Sequence, residues 1–238
     1  MICSQGPEGG VGKKMKKAEK GRAGCGCLLF LLVVCMVVAA ALIHPFSLRF
    51  LGAGFRYADK IVPCDAVFVP RFEEDRNGEI YVEAFREYWS GNGKAIWVEN
   101  DSVLGLTMKE IVERMAKARG IKEGAIKAVG AEGHRAGSAE YVKEVLARQG
   151  IRKVVLVVPE YASRRFHLLY GSEGSGTEKS PLFLVKPVEV TYFKMDKWWK
   201  SDLSRSLMGH ELYELGLLYA NRFWPASRQE EGKEDSSP

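Results

Sequence analysis

The sequence predicts an α/β fold: a Rossmann-like parallel sheet with helices on both faces, preceded by one transmembrane helix. Three observations predict it. An uncharged apolar run from Cys27 to Ile43 directly follows the basic cluster Lys13, Lys14, Lys16, Lys17, Lys20 and Arg22. Beyond that run, short β-branched stretches alternate with segments whose apolar residues recur at helical spacing. These intervening helices run about three turns, long enough for the right-handed crossovers that join parallel strands.

The apolar run defines the first segments. If residues 24–43 are helical, a rise of about 1.5 Å per residue gives roughly 30 Å, the thickness of a bilayer core. Lys and Arg stay cytoplasmic, so residues 1–23 form a cytoplasmic basic N-terminus and the rest of the chain lies outside. Ala39 and Ala41 also make an A-x-A pattern, the mark of a cleaved signal peptide. The length of the run and the apolar Leu42, Ile43 and Phe46 beyond it favour an uncleaved anchor. Met15 begins a more typical charged start, so Met1–Lys14 reads as a mis-assigned extension or a disordered tail.

Among 238 residues, 46% are hydrophobic and 27% charged, enough for one well-buried domain after the anchor. The formal charge of +5 is concentrated before the anchor, where the basic cluster faces only Glu8 and Glu19. The outer domain is nearly neutral, which argues against a nucleic-acid partner. Cys3, Cys25, Cys27 and Cys35 lie before or within the anchor, leaving Cys64 alone outside. A disulfide framework and a zinc site are therefore not expected.

The elements follow in order. Residues 44–63 are a membrane-proximal connector, with Leu48–Tyr57 apolar at helical spacing. Residues 64–225 form the α/β domain. Ala66-Val-Phe-Val-Pro70 is a buried strand, and Glu79–Trp89 a helix ended by Ser90-Gly-Asn-Gly93. Lys94-Ala-Ile-Trp-Val98 is the second strand, Met108–Arg119 a helix stopped at Gly120, and Ala125-Ile-Lys-Ala-Val129 the third strand. Ala139–Arg148 is a helix ending at Gly150, and Val154-Val-Leu-Val-Val158, the most β-branched run, is a central strand. Glu160–Tyr170 resumes helix, and Gly171–Ser180 is polar enough to be an exposed loop. Leu182–Val190 is an edge strand because Pro187 withholds an N–H. Ser206–Phe223 is a long helix, and residues 226–238 are a charged, disordered tail.

No phosphate-binding glycine turn follows the first strand, where Val69-Pro70-Arg71-Phe72 stands, so no dinucleotide cofactor is expected. The segments CDAVFVP, KAIWV, a helix ending in RGI, GSAEYVKEVL and KVVLVVPEYASRR together resemble the YdcF/SanA/ElyC-like family over roughly Tyr57–Trp224. Ser138-Ala-Glu140-Tyr141 lies in register with the family's Thr-x-Glu-Asn segment. Val157 to Arg165 resembles its Val-Thr-Ser-x-Tyr-His-x-x-Arg pattern, keeping Tyr161 and Arg165 but carrying Ala162 at the His position. Two turns depart: Pro70-Arg71 replaces a Gly-Gly, and Glu99-Asn100 a Ser-Gly.

The resemblance implies a single-pass protein of the bacterial inner (cytoplasmic) membrane, with its globular domain periplasmic or extracellular. It further implies a role in cell-envelope biogenesis or barrier maintenance, with the bilayer and an anionic or lipid-linked envelope precursor as partners. If the domain is an enzyme, hydrolysis or group transfer at a phosphate is the expected chemistry. The rival reading, motivated by the departures, is a catalytically inert tethered interaction domain that kept the fold and lost the site. S-adenosylmethionine or nucleotide binding is a third option, opposed by the missing glycines.

Ligands of doubly wound sheets enter at the carboxyl ends of the strands, so loops beginning at Pro70, Glu99, Ala131 and Pro159 should converge. Glu140 and His134 are the candidate catalytic residues, the first as a base or orienting carboxylate and the second as a group titrating near neutrality. Arg76, Ser138, Tyr161, Arg165 and Glu99 are the candidate ligand-binding residues. Arg165, one turn after Tyr161, would present a guanidinium fork to a phosphate or carboxylate. Each has a structural alternative: a salt bridge for Arg165, the helix dipole for Glu140 and an N-cap for Ser138. Glu99 and Asp101 are either an acid–base or metal-binding couple or simply solvated or capping carboxylates. Trp198-Trp199 either packs on the sheet, meets the membrane interface or stacks on a sugar ring.

Overall fold

The structure, a computed structural model, describes residues 22–103, 105–130, 138–171 and 180–223. The chain divides into two compact units at Ser47 and Leu48. The tail 226–238, most of residues 1–23 and residues 172–179 of the predicted loop lie outside the described residues.

In the first unit, α1 (Arg22–Ile43) is one uninterrupted helix. Its apolar side chains from Leu28 to Val38 are largely exposed. Among the described residues no single helix is long and apolar enough to cross a membrane; Leu28–Ala40 and Pro45–Ala53 reach that mark only as a pair. Helix α2 (Pro45–Ala53) starts three residues before the predicted connector helix, with proline in the first position, where no N–H is needed. It ends earlier than predicted, at a turn in which the Gly54 N–H donates to the Phe50 and Leu51 carbonyls.

The second unit continues with β1 (Ala66–Val69), α3 (Glu79–Trp89), β2 (Ile96–Glu99), the hairpin strands β3 (Ser102–Val103) and β4 (Leu106–Thr107), α4 (Met108–Lys117) and β5 (Ile126–Val129). Then come α5 (Ala139–Arg148), β6 (Lys153–Pro159), α6 (Ser163–Tyr170), β7 (Leu182–Val188), a 3-10 helix (Met195–Lys200) and α7 (Asp202–Phe223). Five strands form one sheet in the order β5-β2-β1-β6-β7, and every pairing is parallel. The direction of winding reverses between β1 and β6, the switch point of a doubly wound sheet. Right-handed crossovers put α3 and α4 on one face and α5 and α6 on the other.

Burial explains which strands are central. All of β1 and Val154 to Val158 of β6 are inaccessible to solvent, which requires an unbroken apolar run and not an alternating one. The register of these two strands is pinned by the Asp65 carboxylate, which accepts hydrogen bonds from the Arg152 and Lys153 N–H groups at 3.0 and 3.1 Å. At the outer edge, the Asp59 N–H donates to the Val185 carbonyl (3.0 Å) while its carboxylate accepts from the Val185 N–H (2.8 Å). Pro187 points the same way along β7 and has no N–H to offer.

Four features differ from the sequence expectation for local reasons. Helix α6 starts at Ser163 because residues 159–162 form a turn, with the Ala162 N–H on the Pro159 carbonyl and the Ser163 hydroxyl on the Glu160 carbonyl. Helix α7 starts four residues early, at an acidic first turn led by Asp202. The β3–β4 hairpin and the 3-10 helix are too short to carry a hydrophobic period.

Candidate functional site

The carboxyl ends of β1, β2 and β6 meet at the switch point. Arg71, just after β1, crosses to the end of β2 and the loop beyond it: its N–H donates to Glu99 Oε2 at 3.0 Å, and its Nε lies 3.0 Å from Asp101 Oδ2. That loop is itself fixed, since the Asn100 N–H donates to the Val129 carbonyl at 2.8 Å and the Met108 N–H to the Asp101 carbonyl at 2.7 Å. Thr107 and Glu110 form a reciprocal capping box that starts α4 directly beneath it. Where glycine turns would leave backbone open to a ligand, a carboxylate-bound arginine stands instead.

Beside this polar bridge lies an aromatic group. The Phe72 ring meets Tyr161 edge-on at 6.5 Å and Phe166 at 5.4 Å, and Phe166 stacks on Tyr170 at 5.9 Å. Tyr161 further contacts Phe193 at 4.7 Å and Tyr192 at 6.4 Å. Burial, reinforced by the neighbouring Tyr192 hydroxyl, pushes the Tyr161 phenol far above its ordinary range, so it stays protonated.

Arg165 projects from α6 to α7. Its Nε and Nη2 both donate to the Glu211 carboxylate at 2.7 Å, and its guanidinium lies 4.8 Å from the Phe166 ring centre. Glu211 is only 2% exposed. Burial works against the guanidinium charge, but the Glu211 carboxylate outweighs it and raises the Arg165 pKa.

The other sequence candidates divide. Ser138 caps α5, its hydroxyl accepting from the Tyr141 N–H at 3.2 Å. Glu140 is exposed in the first turn of α5, where its charge complements the helix dipole. Arg76 is exposed in the loop after β1, its N–H donating to the Glu74 carbonyl at 2.9 Å. His134, with Glu132 and Arg135, lies outside the described residues. Burial holds the Tyr170 phenol above its ordinary range, the Glu99 and Glu140 charges add to this and Arg165 opposes it. Among the described residues no three His, Cys, Asp or Glu side chains are placed to hold a metal ion.

Sequence reasoning missed Glu211 and Tyr170. A signal for Glu211 existed: it sits in phase with Ser204, Leu207, Met208 and Leu215, the buried stripe of α7, where a carboxylate requires a partner. An open cleft of about 410 Å³ lies elsewhere, between α3 and the end of β7, lined by Glu79, Val82, Glu83, Arg86, Pro187 and Glu189 among others. Comparison with family models, curated proteins and solved structures returned no match.

Proposed function

We propose that this chain is a membrane-anchored, YdcF/SanA/ElyC-like domain that serves cell-envelope biogenesis or barrier maintenance from the outer side of the bacterial cytoplasmic membrane. It does so as an interaction module, without chemistry of its own. One observation carries the non-catalytic reading: both guanidinium nitrogens of Arg165 that form its fork are held by the buried Glu211. Releasing that fork to a phosphate would leave an uncompensated buried carboxylate, which is strongly unfavourable. The exposed apolar surface of α1 supports the anchor, because such surface is disfavoured in water by about 25 cal/mol per Å².

A second reading has its own support. Arg71 follows the carboxyl end of β1, and Tyr161 and Arg165 follow that of β6, where doubly wound sheets take their ligands, which favours an anionic or lipid-linked envelope precursor bound there and processed by hydrolysis or group transfer at a phosphate.

Thermal unfolding of the reconstituted chain with inorganic phosphate, nucleotides and lipid-linked precursors decides between them. An unchanged midpoint is expected throughout. A concentration-dependent rise that disappears in Glu140→Gln overturns the interaction reading in favour of the second. A carboxy-terminal reporter active only in the cytosol removes the extracytoplasmic placement.

A further inference from the structure

We propose that the outward side of α2 and the basic lip formed by the 3-10 helix make a second lipid contact, seating the α/β domain against an anionic bilayer surface. This rests on the reading of residues 24–43 as a membrane anchor. The inner side of α2 is fixed by packing: a Cβ on Gly52 would lie 2.9 Å from the Met195 carbonyl oxygen and 3.1 Å from Trp198 Cδ1. The Trp198 indole N–H donates to the Leu48 carbonyl at 2.9 Å. With that side committed, the opposite one presents Phe50, 77% exposed, while Leu51 on the flank is 39% exposed.

The chemistry around Phe50 selects the occupant. Arg49, on the same helix, donates to the Asp196 carbonyl at 3.4 Å, which brings α2 alongside the 3-10 helix. Lys194, Lys197 and Lys200 follow at three-residue intervals there, and all three are exposed. Only Asp196 and Asp202 supply negative charge among residues 194–205; Asp196 lies 3.9 Å from Lys197 and Asp202 is engaged by Arg205, which leaves a net positive lip. An exposed aromatic ring on α2 beside a 3-10 helix with excess cations is the composition of an interfacial surface, complementary to anionic headgroups. Connectivity adds to this, because only His44 separates the end of α1 from the start of α2.

The test uses the full chain in vesicles containing phosphatidylglycerol, with Leu51→Cys labelled by an environment-sensitive fluorophore after serine replacement of the native cysteines. Quenching by shallow nitroxide lipids is expected. It should be lost in the triple variant Lys194→Glu, Lys197→Glu, Lys200→Glu and in Phe50→Glu, both checked for native circular dichroism. A label left unquenched in chain that resists alkaline extraction overturns the second contact while leaving the anchor standing. Quenching that persists in purely zwitterionic vesicles and in the triple variant overturns the anionic commitment. Extraction of the chain by alkali overturns the anchor, and the second contact with it.

Discussion

Arg165 and Glu211, 46 residues apart, join α6 to α7 through two parallel hydrogen bonds of 2.7 Å. Removing either partner strands the other charge in a buried site, a loss of about 3–5 kcal/mol. Arg165→Ala and Glu211→Ala should each lower the denaturation midpoint by that order. The double variant Arg165→Met, Glu211→Leu should recover most of it. A single variant with an unchanged midpoint contradicts the assignment of this pair as a structural tie.

Two glycines in one turn should respond differently to alanine. Gly91 has φ +77° with nothing within 4 Å of a Cβ, so Gly91→Ala bears only left-handed backbone strain of about 1–2 kcal/mol. At Gly93 a Cβ would lie 2.6 Å from Val67 Cγ2 and 2.9 Å from the Val67 nitrogen, inside the central strand β1. Gly93→Ala should cost about 3 kcal/mol. Urea unfolding of both variants checks the order, and equal losses would contradict it.

Stability should depend on pH with opposite signs at two carboxylates. Burial raises the Glu160 pKa; Arg56 opposes this and Glu189 adds to it. Its contribution is therefore fully present in acid, below the ordinary carboxylate range, and is lost as pH rises through the native value. Glu160→Gln should gain stability over the parent chain at neutral pH and converge with it in acid. Asp65 is lowered by the Arg152 and Lys153 N–H groups, so its contribution is present above the ordinary range and lost as pH falls through the native value. Asp65→Asn should be less stable at neutral pH, and the gap should close in acid. Midpoints measured across that range test both slopes.

The caps at Thr107 and Ser138 should each be worth about 1 kcal/mol. Thr107→Ala breaks a reciprocal box in which the Glu110 carboxylate also holds the Thr107 N–H at 2.8 Å. Ser138→Ala removes a single acceptor, so its loss should be the smaller of the two by thermal unfolding. If Ser138 instead meets a ligand, its alanine variant will change ligand response and leave the midpoint alone.

The fold was legible because its signals are local. The bounds of α3 and α5 follow from apolar period and flanking breakers, and the burial of β6 follows from its β-branched run. Pro187 marked β7 as an edge, and β7 is one of the two edge strands. The site was less legible because its determinants are pairings between distant segments. Arg165 was visible as a fork, but its partner lies on α7, and only the phase of Glu211 along that helix pointed inward. Arg71 and Asp101 were visible as loop charges, while their bridge depends on the approach of β1 and β2.

The clasp of Asp59 on Val185 has a bearing on assembly. With the outward amide of Val185 already occupied and the next outward position, 187, a proline, this edge of the sheet offers no run of free donors to an incoming strand. Neighbouring molecules thus cannot zip together through this margin, and any association along it has to recruit side-chain surfaces instead.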